Sequence, residues 1–242
     1  MSVLTADIHF YRAATGDSEG GAIGGTEITG TALNNFWPSV SDAERTAGGT
    51  RIRKWFLDNA SGTDSLALPV VWVFQTPTYT TEYLGLGANS ADDADPAQGN
   101  MTAWAATALV ELVSDGADTR TATITGRDGS GGPQSEDVVL TGTTPADSIS
   151  TYSVVYGVVL SGVSSSRTVL VKQGAAGTTR GTIGTSKLTC WLWVLATTKG
   201  AGLALPTLGS GQDMGFWDKL VWSAGAGSIR PTQSVIAVEE GP

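Results

Sequence analysis

The stretch TRTATITGRDGSGGPQSEDVVLTGTTPADSISTYSVVYGVVLSGVSSSRTVLVKQ, residues 119–173, decides the fold. It holds four short segments rich in β-branched residues, and turns of Gly, Ser, Asp or Pro separate them. The four predicted strands are residues 120–125, 134–141, 152–161 and 167–173. Strands at such short, regular spacing are typical of an all-β sandwich or barrel. Because the connections are too short for parallel crossovers, we expect antiparallel pairing.

The same alternation of strands and turns continues on both sides of this stretch. Further strands are predicted at 3–11, 50–59, 66–75, 79–86, 103–113, 187–196, 216–223 and 232–239. A polar turn joins TRIRKWFLDN (50–59) to LALPVVWVFQ (66–75), which predicts a β-hairpin or a meander, with Pro69 at a strand start or on an edge. One short helix is predicted after Ser39 or Ser41, because either serine can cap a helix and acids follow in what would be its first turn. The predicted fold class is therefore all-β, with antiparallel β-sandwich units, two in number, and at most one short helix.

We predict three parts of the chain. They are an N-terminal β domain (1–113), a central β-sandwich unit (114–185) and C-terminal strands (186–242) that pack on one or both preceding units. A weak internal echo links RKWFLDNASG and LALPVVWV to WDKLVWSAGAG and PTQSVIAV, with Lys54 and Lys219 in the same place. The echo is either a structural duplication or a coincidence between two hairpins, and coincidence is the simpler interpretation.

Charge, hydropathy and cysteine content exclude several classes of function. The net charge of -9 argues against nucleic-acid binding, because proteins that bind nucleic acids normally carry a basic surface. We expect no secretory signal and no membrane span, because no basic segment precedes an apolar one at the N-terminus and no run of about 18–20 apolar residues occurs. Cys190 is the only cysteine and stands in the apolar run TCWLW, so we expect a buried, inert thiol and no intramolecular disulfide.

Few residues can carry catalytic chemistry. His9 is the only histidine, and we interpret it as a structural residue on a strand beside Asp7 and Tyr11. A serine nucleophile would need His9 as its base, and the acids show no pairing of the kind that a glycosidase needs. We therefore predict no catalytic residues, no cofactor and no enzymatic activity.

One acidic segment raises the question of a metal. GANSADDADPAQGN, residues 87–100, carries Asp92, Asp93 and Asp95. Closely spaced hard oxygen ligands suit Ca²⁺, but the segment lacks the intervals and the terminal glutamate of an EF-hand loop. We interpret it as a solvated acidic loop and assign no metal ligands, and calcium binding by the three aspartates stays open.

The eight tryptophans form the most unusual part of the composition. They are Trp37, Trp55, Trp72, Trp104, Trp191, Trp193, Trp217 and Trp222. Tryptophan in a β protein serves as core, as subunit interface or as a platform for sugars. We expect core to dominate, because the predicted strand around Trp191 and Trp193 is apolar on both faces.

Two segments resemble structural proteins of tailed bacteriophages. GRDGSGGPQSEDVVLTGTTPADSISTYSVVYGVVLSG (126–162) is similar to such proteins in its Gly-x-Asp-x-x-Gly hairpin, in the strand and turn after it, and in its Val-rich strand. TRIRKWFLDNASGTDSL (50–66) is similar in its charged, aromatic strand, which runs into an Asn-terminated turn.

This resemblance implies a non-enzymatic virion protein of β-sandwich type, in the tail or baseplate or in a head-decoration layer. We expect many symmetric copies that assemble through β-edges and Gly-rich loops. The expected partners are other virion structural proteins, with no contact to nucleic acid or a membrane. Long loops often make contacts, so we predict contact segments at 16–30, 87–100 and 200–215, and deletion of 87–100 should spare folding but impair assembly. The alternative is a carbohydrate-binding β-sandwich module for host-surface attachment.

Overall fold

The computed structural model describes residues 3–14, 20–29, 37, 40–76, 79–226 and 235–240. One α-helix, α1 (Asp42–Ala47), and three 3₁₀ turns (Thr5–Asp7, Pro96–Gln98 and Lys199–Ala201) occur in these residues. The strands are β1 Ile8–Ala13, β2 Ile23–Glu27, β3 Gly49–Asn59, β4 Val70–Gln75, β5 Thr80–Gly87, β6 Val110–Ser114, β7 Thr121–Arg127, β8 Pro133–Val139, β9 Ala146–Asp147, β10 Val154–Leu160, β11 Val169–Gln173, β12 Thr178–Ile183, β13 Thr189–Trp191, β14 Leu203–Ala204, β15 Asp213–Trp222 and β16 Val235–Glu239.

The strands form four sheets in two sandwiches. The first sandwich packs a five-stranded sheet, in the order β2-β1-β3-β15-β5, against a three-stranded sheet, β14-β4-β16. The second packs β13-β10-β7-β8 against β12-β11-β6-β9. Every ladder between these strands is antiparallel. The predicted all-β class, built from antiparallel sandwich units with one short helix, is confirmed.

The core of the first sandwich is aromatic and aliphatic. Trp55 on β3 stacks on its cross-strand partner Phe216 on β15, with ring centroids 4.5 Å apart. Leu57 lies on the same face of β3 two residues along, and Val71 and Val73 reach it from β4. All five side chains are buried. Burial of a side chain of this size contributes about 1.5–3 kcal/mol, so this layer fixes which face of β3 points inward.

The core of the second sandwich contains the cysteine. Cys190 on β13 is paired with Val158 on β10, and Ile124 on β7 lies beside Val158 in the same layer. Burial raises the pKa of the Cys190 thiol far above its usual range. A thiol that stays protonated is a poor nucleophile, so the expectation of a buried, inert cysteine agrees with the structure.

The helix begins where one of the two candidate caps predicts it. The Ser41 side chain accepts a hydrogen bond from the backbone N–H of Glu44, and the Glu44 carboxylate accepts from the Ser41 N–H at 2.7 Å. This reciprocal capping box satisfies two N–H groups that a helix start otherwise leaves without partners. The other candidate, Ser39, lies outside the described residues, as do residues 232–234 of the predicted last strand.

The predicted hairpin of residues 50–59 and 66–75 is wrong. β3 pairs with β1 and β15, whereas β4 belongs to the facing sheet and pairs with β14 and β16. The connection crosses between the two layers, and Leu68 has a φ of 43° directly before Pro69. Pro69 precedes the first residue of β4, which is where a residue without an N–H is tolerated.

The two echoing segments are neighbours in space. β3 and β15 pair along their length, with Lys54 opposite Trp217 and Lys219 opposite Ile52. The two Val-rich strands that follow them, β4 and β16, also pair with each other. An approximate two-fold axis between duplicated units would produce this arrangement, and the duplication itself stays a prediction.

The three-part division of the chain also stays a prediction, although the buried clusters do not follow it. β6 spans the proposed boundary after residue 113 and pairs with β11, so its residues lie in the second core. The predicted strand 187–196 is reduced to the three residues of β13. After them the chain crosses to the first sandwich, where Val194 exchanges two hydrogen bonds with Leu84.

Candidate interaction surface

Tryptophan side chains join the two sandwiches. Trp191 of β13 stacks on Trp217 of β15 with ring centroids 5.1 Å apart and planes 9° from parallel, and Trp193 meets Trp191 edge to face at 5.7 Å. Gly85 on β5 leaves the space that Trp191 fills, because a Cβ there would lie 2.2 Å from the Trp191 ring. The stacked pair is wholly buried, so it belongs to the body of the molecule.

Most of the tryptophans are core residues, as expected. Six are buried and two, Trp104 and Trp193, are half-buried. The buried six are Trp37, Trp55, Trp72, Trp191, Trp217 and Trp222. A platform for sugars needs an open aromatic face, and among the tryptophans of the described residues only Trp104 and Trp193 are exposed enough to offer one.

Trp193 takes part in a small aromatic and cationic cluster. The Lys219 ammonium lies 4.5 Å from the Trp193 ring centroid and 4.7 Å from that of Tyr83. All three side chains are half-buried. Burial lowers the pKa of the Lys219 ammonium. Cation–π contacts of this kind hold the lysine between the two rings.

The three aspartates of the acidic segment do not converge on a common point. Asp93 is fully buried against Lys54, with Oδ2 and Nζ 2.7 Å apart. Asp95 pairs with Lys187 on the surface, and the backbone N–H of Asp92 donates to Ser90 Oγ at 3.1 Å. Within the part of the chain that the structure describes, no group of three or more His, Cys, Asp or Glu side chains is placed to hold a metal ion.

The acidic segment is therefore anchored, not free. Gln98 is also buried, and its amide oxygen accepts from the N–H groups of Leu188 and Thr189 at 3.1 Å. Deletion of 87–100 would remove the partner of a buried ammonium, which argues against the expectation that folding would be spared. A role in contacts stays a prediction for the exposed part of this loop.

The other two predicted contact segments are also partly packed into the molecule. Residues 20 and 21 are buried, and residues 23–27 form β2; residues 16–19 and 30 lie outside the described residues. In 200–215, Leu203, Leu205 and Leu208 belong to the first core. The Arg127 guanidinium donates to the carbonyl of Gly202 at 2.7 Å, which ties this segment to the second sandwich.

His9 occupies a structural position. Its Nδ1 lies 2.8 Å from Glu27 Oε1 across β1 and β2, and its ring stacks on Tyr11 at 6.1 Å. Both partners of the His9–Glu27 contact are partly exposed. This pair stabilises the edge of the five-stranded sheet.

Sequence reasoning missed a buried pair of carboxyl groups. Glu82 on β5 and Asp218 on β15 are both fully buried, and the two carboxyl groups interact with each other. Burial, and then the Glu82 charge, raise the pKa of Asp218 well above its usual range. Two carboxyls in such contact share one proton. The sequence does not show that β5 and β15 pair, and this pairing is what brings the two carboxyl groups together. Asp218 lies opposite Leu84, and Glu82 lies opposite Leu220, on the inward face of the sheet.

The exposed apolar side chains concentrate at one end of β4. We call Phe74, Tyr79, Leu195 and Val235 the edge cluster; they are four of the eight large apolar side chains that are exposed in the described residues. Phe74 and Tyr79 flank the connection from β4 to β5. Val235 is paired with the last residue of β4, and Leu195 precedes Ala196, whose carbonyl accepts from the Val73 N–H.

The edge cluster lies beside an open strand. In the described residues β16 forms a ladder with β4 alone, so its other side presents backbone groups that no ladder satisfies. Every side chain of β16 is at least partly exposed. A β-edge beside apolar side chains is a template for strand pairing with another chain.

Comparisons with models of protein families, with curated proteins and with solved structures find no match to this chain. Among the described helices, none has the length and apolar character required to traverse a bilayer.

Proposed function

We propose that this protein is a non-enzymatic structural component of a bacteriophage virion. It assembles in many symmetric copies through β-edges, in the tail or baseplate or in a head-decoration layer, with other virion structural proteins as partners. The observation that carries the proposal is the edge cluster beside β16. The sequence resemblance of residues 50–66 and 126–162 to tailed-phage structural proteins supports the same conclusion.

The edge cluster has the physical properties of an assembly surface. Single exposed apolar side chains are ordinary, but half of the large apolar side chains that are exposed in the described residues lie near one end of β4. Clustering of this kind is typical of interaction sites. Phe74 and Tyr79 are 68% and 62% exposed, so an incoming subunit could bury most of each ring. Aromatic side chains are enriched at subunit interfaces because each buries a large area.

The charge of the chain complements this use of the edge. A net charge of -9 keeps free subunits apart by general repulsion. Association then requires a specific contact whose apolar and backbone interactions exceed that repulsion. Symmetric copies that use one patch repeatedly meet this requirement, because a single favourable contact is multiplied by the symmetry.

The test replaces Phe74 and Val235 together by Asp. We expect the double variant to fold, to lose self-association in analytical ultracentrifugation, and to fail to enter particles in cells that assemble virions. Ile149→Asp is the matched control, because Ile149 is 91% exposed and lies away from β16. Entry of the double variant into particles at the level of the control would contradict the proposed surface.

A second candidate function, glycan binding for attachment to a host surface, is favoured by the cluster of Tyr83, Trp193 and Lys219. Two half-buried aromatic rings around an ammonium can stack on a sugar and bind its hydroxyl or carboxylate groups. A glycan that reduces iodide quenching of tryptophan fluorescence in the wild type, but not in Trp193→Ala, would favour this function.

A further inference from the structure

Lys54 and Asp93 form the most deeply buried ion pair among the described residues. Both side chains have 0% exposure, and Nζ lies 2.7 Å from Oδ2. Lys54 stands on β3, the middle strand of the five-stranded sheet, and Asp93 lies in the acidic segment after β5. The contact thus joins two points that 39 residues separate in the chain (93 − 54).

The surroundings of the ammonium are dry and walled by aromatic rings. The Phe56 and Trp217 ring centroids lie 5.2 Å and 5.6 Å from Nζ. The backbone carbonyls of Gly21, Ala88 and Asp93 accept hydrogen bonds from Nζ. Burial lowers the pKa of the Lys54 ammonium, although the Asp93 carboxylate acts in the opposite direction. A lysine that is desolvated in this way becomes a nucleophile when it loses its proton.

The carboxyl group of Asp93 is held and polarised by fixed donors. Gln98 Nε2 lies 3.4 Å from Oδ1, and Trp217 Nε1 lies 3.3 Å from each oxygen. The backbone N–H of Ala88 donates to Oδ2 at 2.7 Å. Donors arranged around a carboxyl carbon stabilise the negative charge that develops on oxygen when a nucleophile adds.

We propose that Lys54 and Asp93 condense, without another reactant, to form an intramolecular amide bond between Nζ and Cγ. A proton first passes from Nζ to Oδ2 across their 2.7 Å contact, which leaves a neutral amine and a neutral carboxylic acid. The two N–H groups that remain donate to the Gly21 and Ala88 carbonyls, so the nitrogen lone pair faces the Asp93 carboxyl group. Rotation of the new Oδ2–H bond away from Nζ then lets this lone pair attack Cγ.

The bond changes balance with the loss of one water molecule. As the Nζ–Cγ bond forms, an electron pair moves onto Oδ1, where Gln98 and Trp217 donate hydrogen bonds. A second proton then moves from Nζ to the Oδ2 hydroxyl, the Cγ–Oδ2 bond breaks, and water leaves. The Oδ1 electron pair restores the carbonyl, and one hydrogen stays on the amide nitrogen.

Fixed positions make such a condensation feasible in a folded protein. Two reacting groups held in contact react as if each were present at very high concentration. The chain has one cysteine and no possible intramolecular disulfide, so this amide would be its covalent fastening between the central sheet and the loop after β5. This inference is independent of the proposed virion role.

The test is the mass of the purified, denatured full-length protein. We expect a mass lower by one water molecule than the sequence requires, with Lys54→Arg as the reference, because an arginine keeps the charge but does not form this amide. Processing at the N-terminus shifts both masses equally. A wild-type mass equal to that of its sequence, on the same scale as Lys54→Arg, would overturn the proposal and leave an ion pair alone.

Peptide mapping gives a second readout that does not depend on the variant folding. Cleavage at Glu82 and Glu111, in addition to tryptic sites, separates Lys54 from Asp93 in sequence. We expect fragments 54–82 and 83–111 to remain joined, with no tryptic cut after Lys54. Lys172, which pairs with Glu111 at 3.0 Å but is partly exposed, is the internal control and should be cut normally. Separate fragments that begin at residue 55 would overturn the proposal.

Discussion

The stacked Trp191–Trp217 pair predicts a large cost for one added methyl group. In Gly85→Ala the new Cβ would lie 2.2 Å from Cδ1 and 2.4 Å from Nε1 of Trp191. Trp191 cannot swing away, because Trp217 stacks on one face of its ring and Trp193 meets it edge to face. The strain must therefore move the strands or break the stack.

The size of the effect follows from these contacts. Overpacking a well-filled core costs about 1–3 kcal/mol. Loss of an aromatic stack adds about 0.5–1.5 kcal/mol. We expect the free energy of unfolding to fall by about 2–4 kcal/mol, which for a domain of this size lowers Tm by roughly 4–16 °C.

The matched control is Gly25→Ala. Gly25 is also in a strand of the five-stranded sheet, but a Cβ there meets nothing within 4 Å. In urea unfolding we expect Gly25→Ala to be unchanged or slightly more stable, since alanine restricts the unfolded chain. Equal stability of the Gly85 and Gly25 variants, with unchanged near-UV circular dichroism of the tryptophans, would refute the close packing between the sandwiches.

Three further predictions follow from buried polar groups. Asp93→Ala should lower the free energy of unfolding by at least about 3 kcal/mol, because it leaves the Lys54 ammonium buried without its partner. Exposed Asp92→Ala should change it by no more than about 0.5 kcal/mol, and equal urea midpoints of the two variants would contradict this. The pKa of Asp218 is raised in the folded state, so the folded protein binds more protons than the unfolded chain. The stability that this group contributes is therefore complete below about pH 4. It is lost as the pH rises through the folded-state pKa. Asp218→Asn should therefore flatten the fall in urea midpoint above pH 4, and an identical slope would refute the assignment. Cys190 should react with a thiol reagent only after unfolding, and rapid labelling of the native protein would contradict its burial.

The fold class and most strand positions could be predicted from sequence because they depend on local patterns. β12 was missed, however, and the predicted strand 103–113 begins only at Val110. Turn residues such as those around Gly129–Pro133 mark strand ends, and alternation of apolar residues marks the buried face. The helix cap at Ser41 is equally local. Burial of Cys190 followed from the apolar run around it.

The pairing of the strands could not be predicted, because a two-residue period shows which face is buried but not which strand lies alongside. β3 and β4 are consecutive in the chain and apolar in the same way, yet they belong to facing sheets. The polar residues of the candidate sites were missed for a related reason. Lys54 and Asp218 are charged residues of the kind that usually face solvent. Their partners, Asp93 and Glu82, are distant in sequence, so nothing local indicated burial.

The edge cluster was also invisible in the sequence. Phe74 follows the buried Val73 in a uniformly apolar run, so its exposure depends on the end of β4 and on β16, which pairs there. The predicted contact loops were chosen for length and glycine content. Length alone did not reveal the anchoring of 87–100 through Asp93 and Gln98.

The most direct test of the central claim is to locate and count this chain in purified virions. Gold-labelled antibody against the chain, combined with quantitative mass spectrometry of the same particles, measures position and copy number together. We predict labelling at a fixed place on the tail, baseplate or head, and a copy number that matches the symmetry of that place. Absence of the chain from particles, with all of it recovered in the soluble fraction of infected cells, would contradict the account.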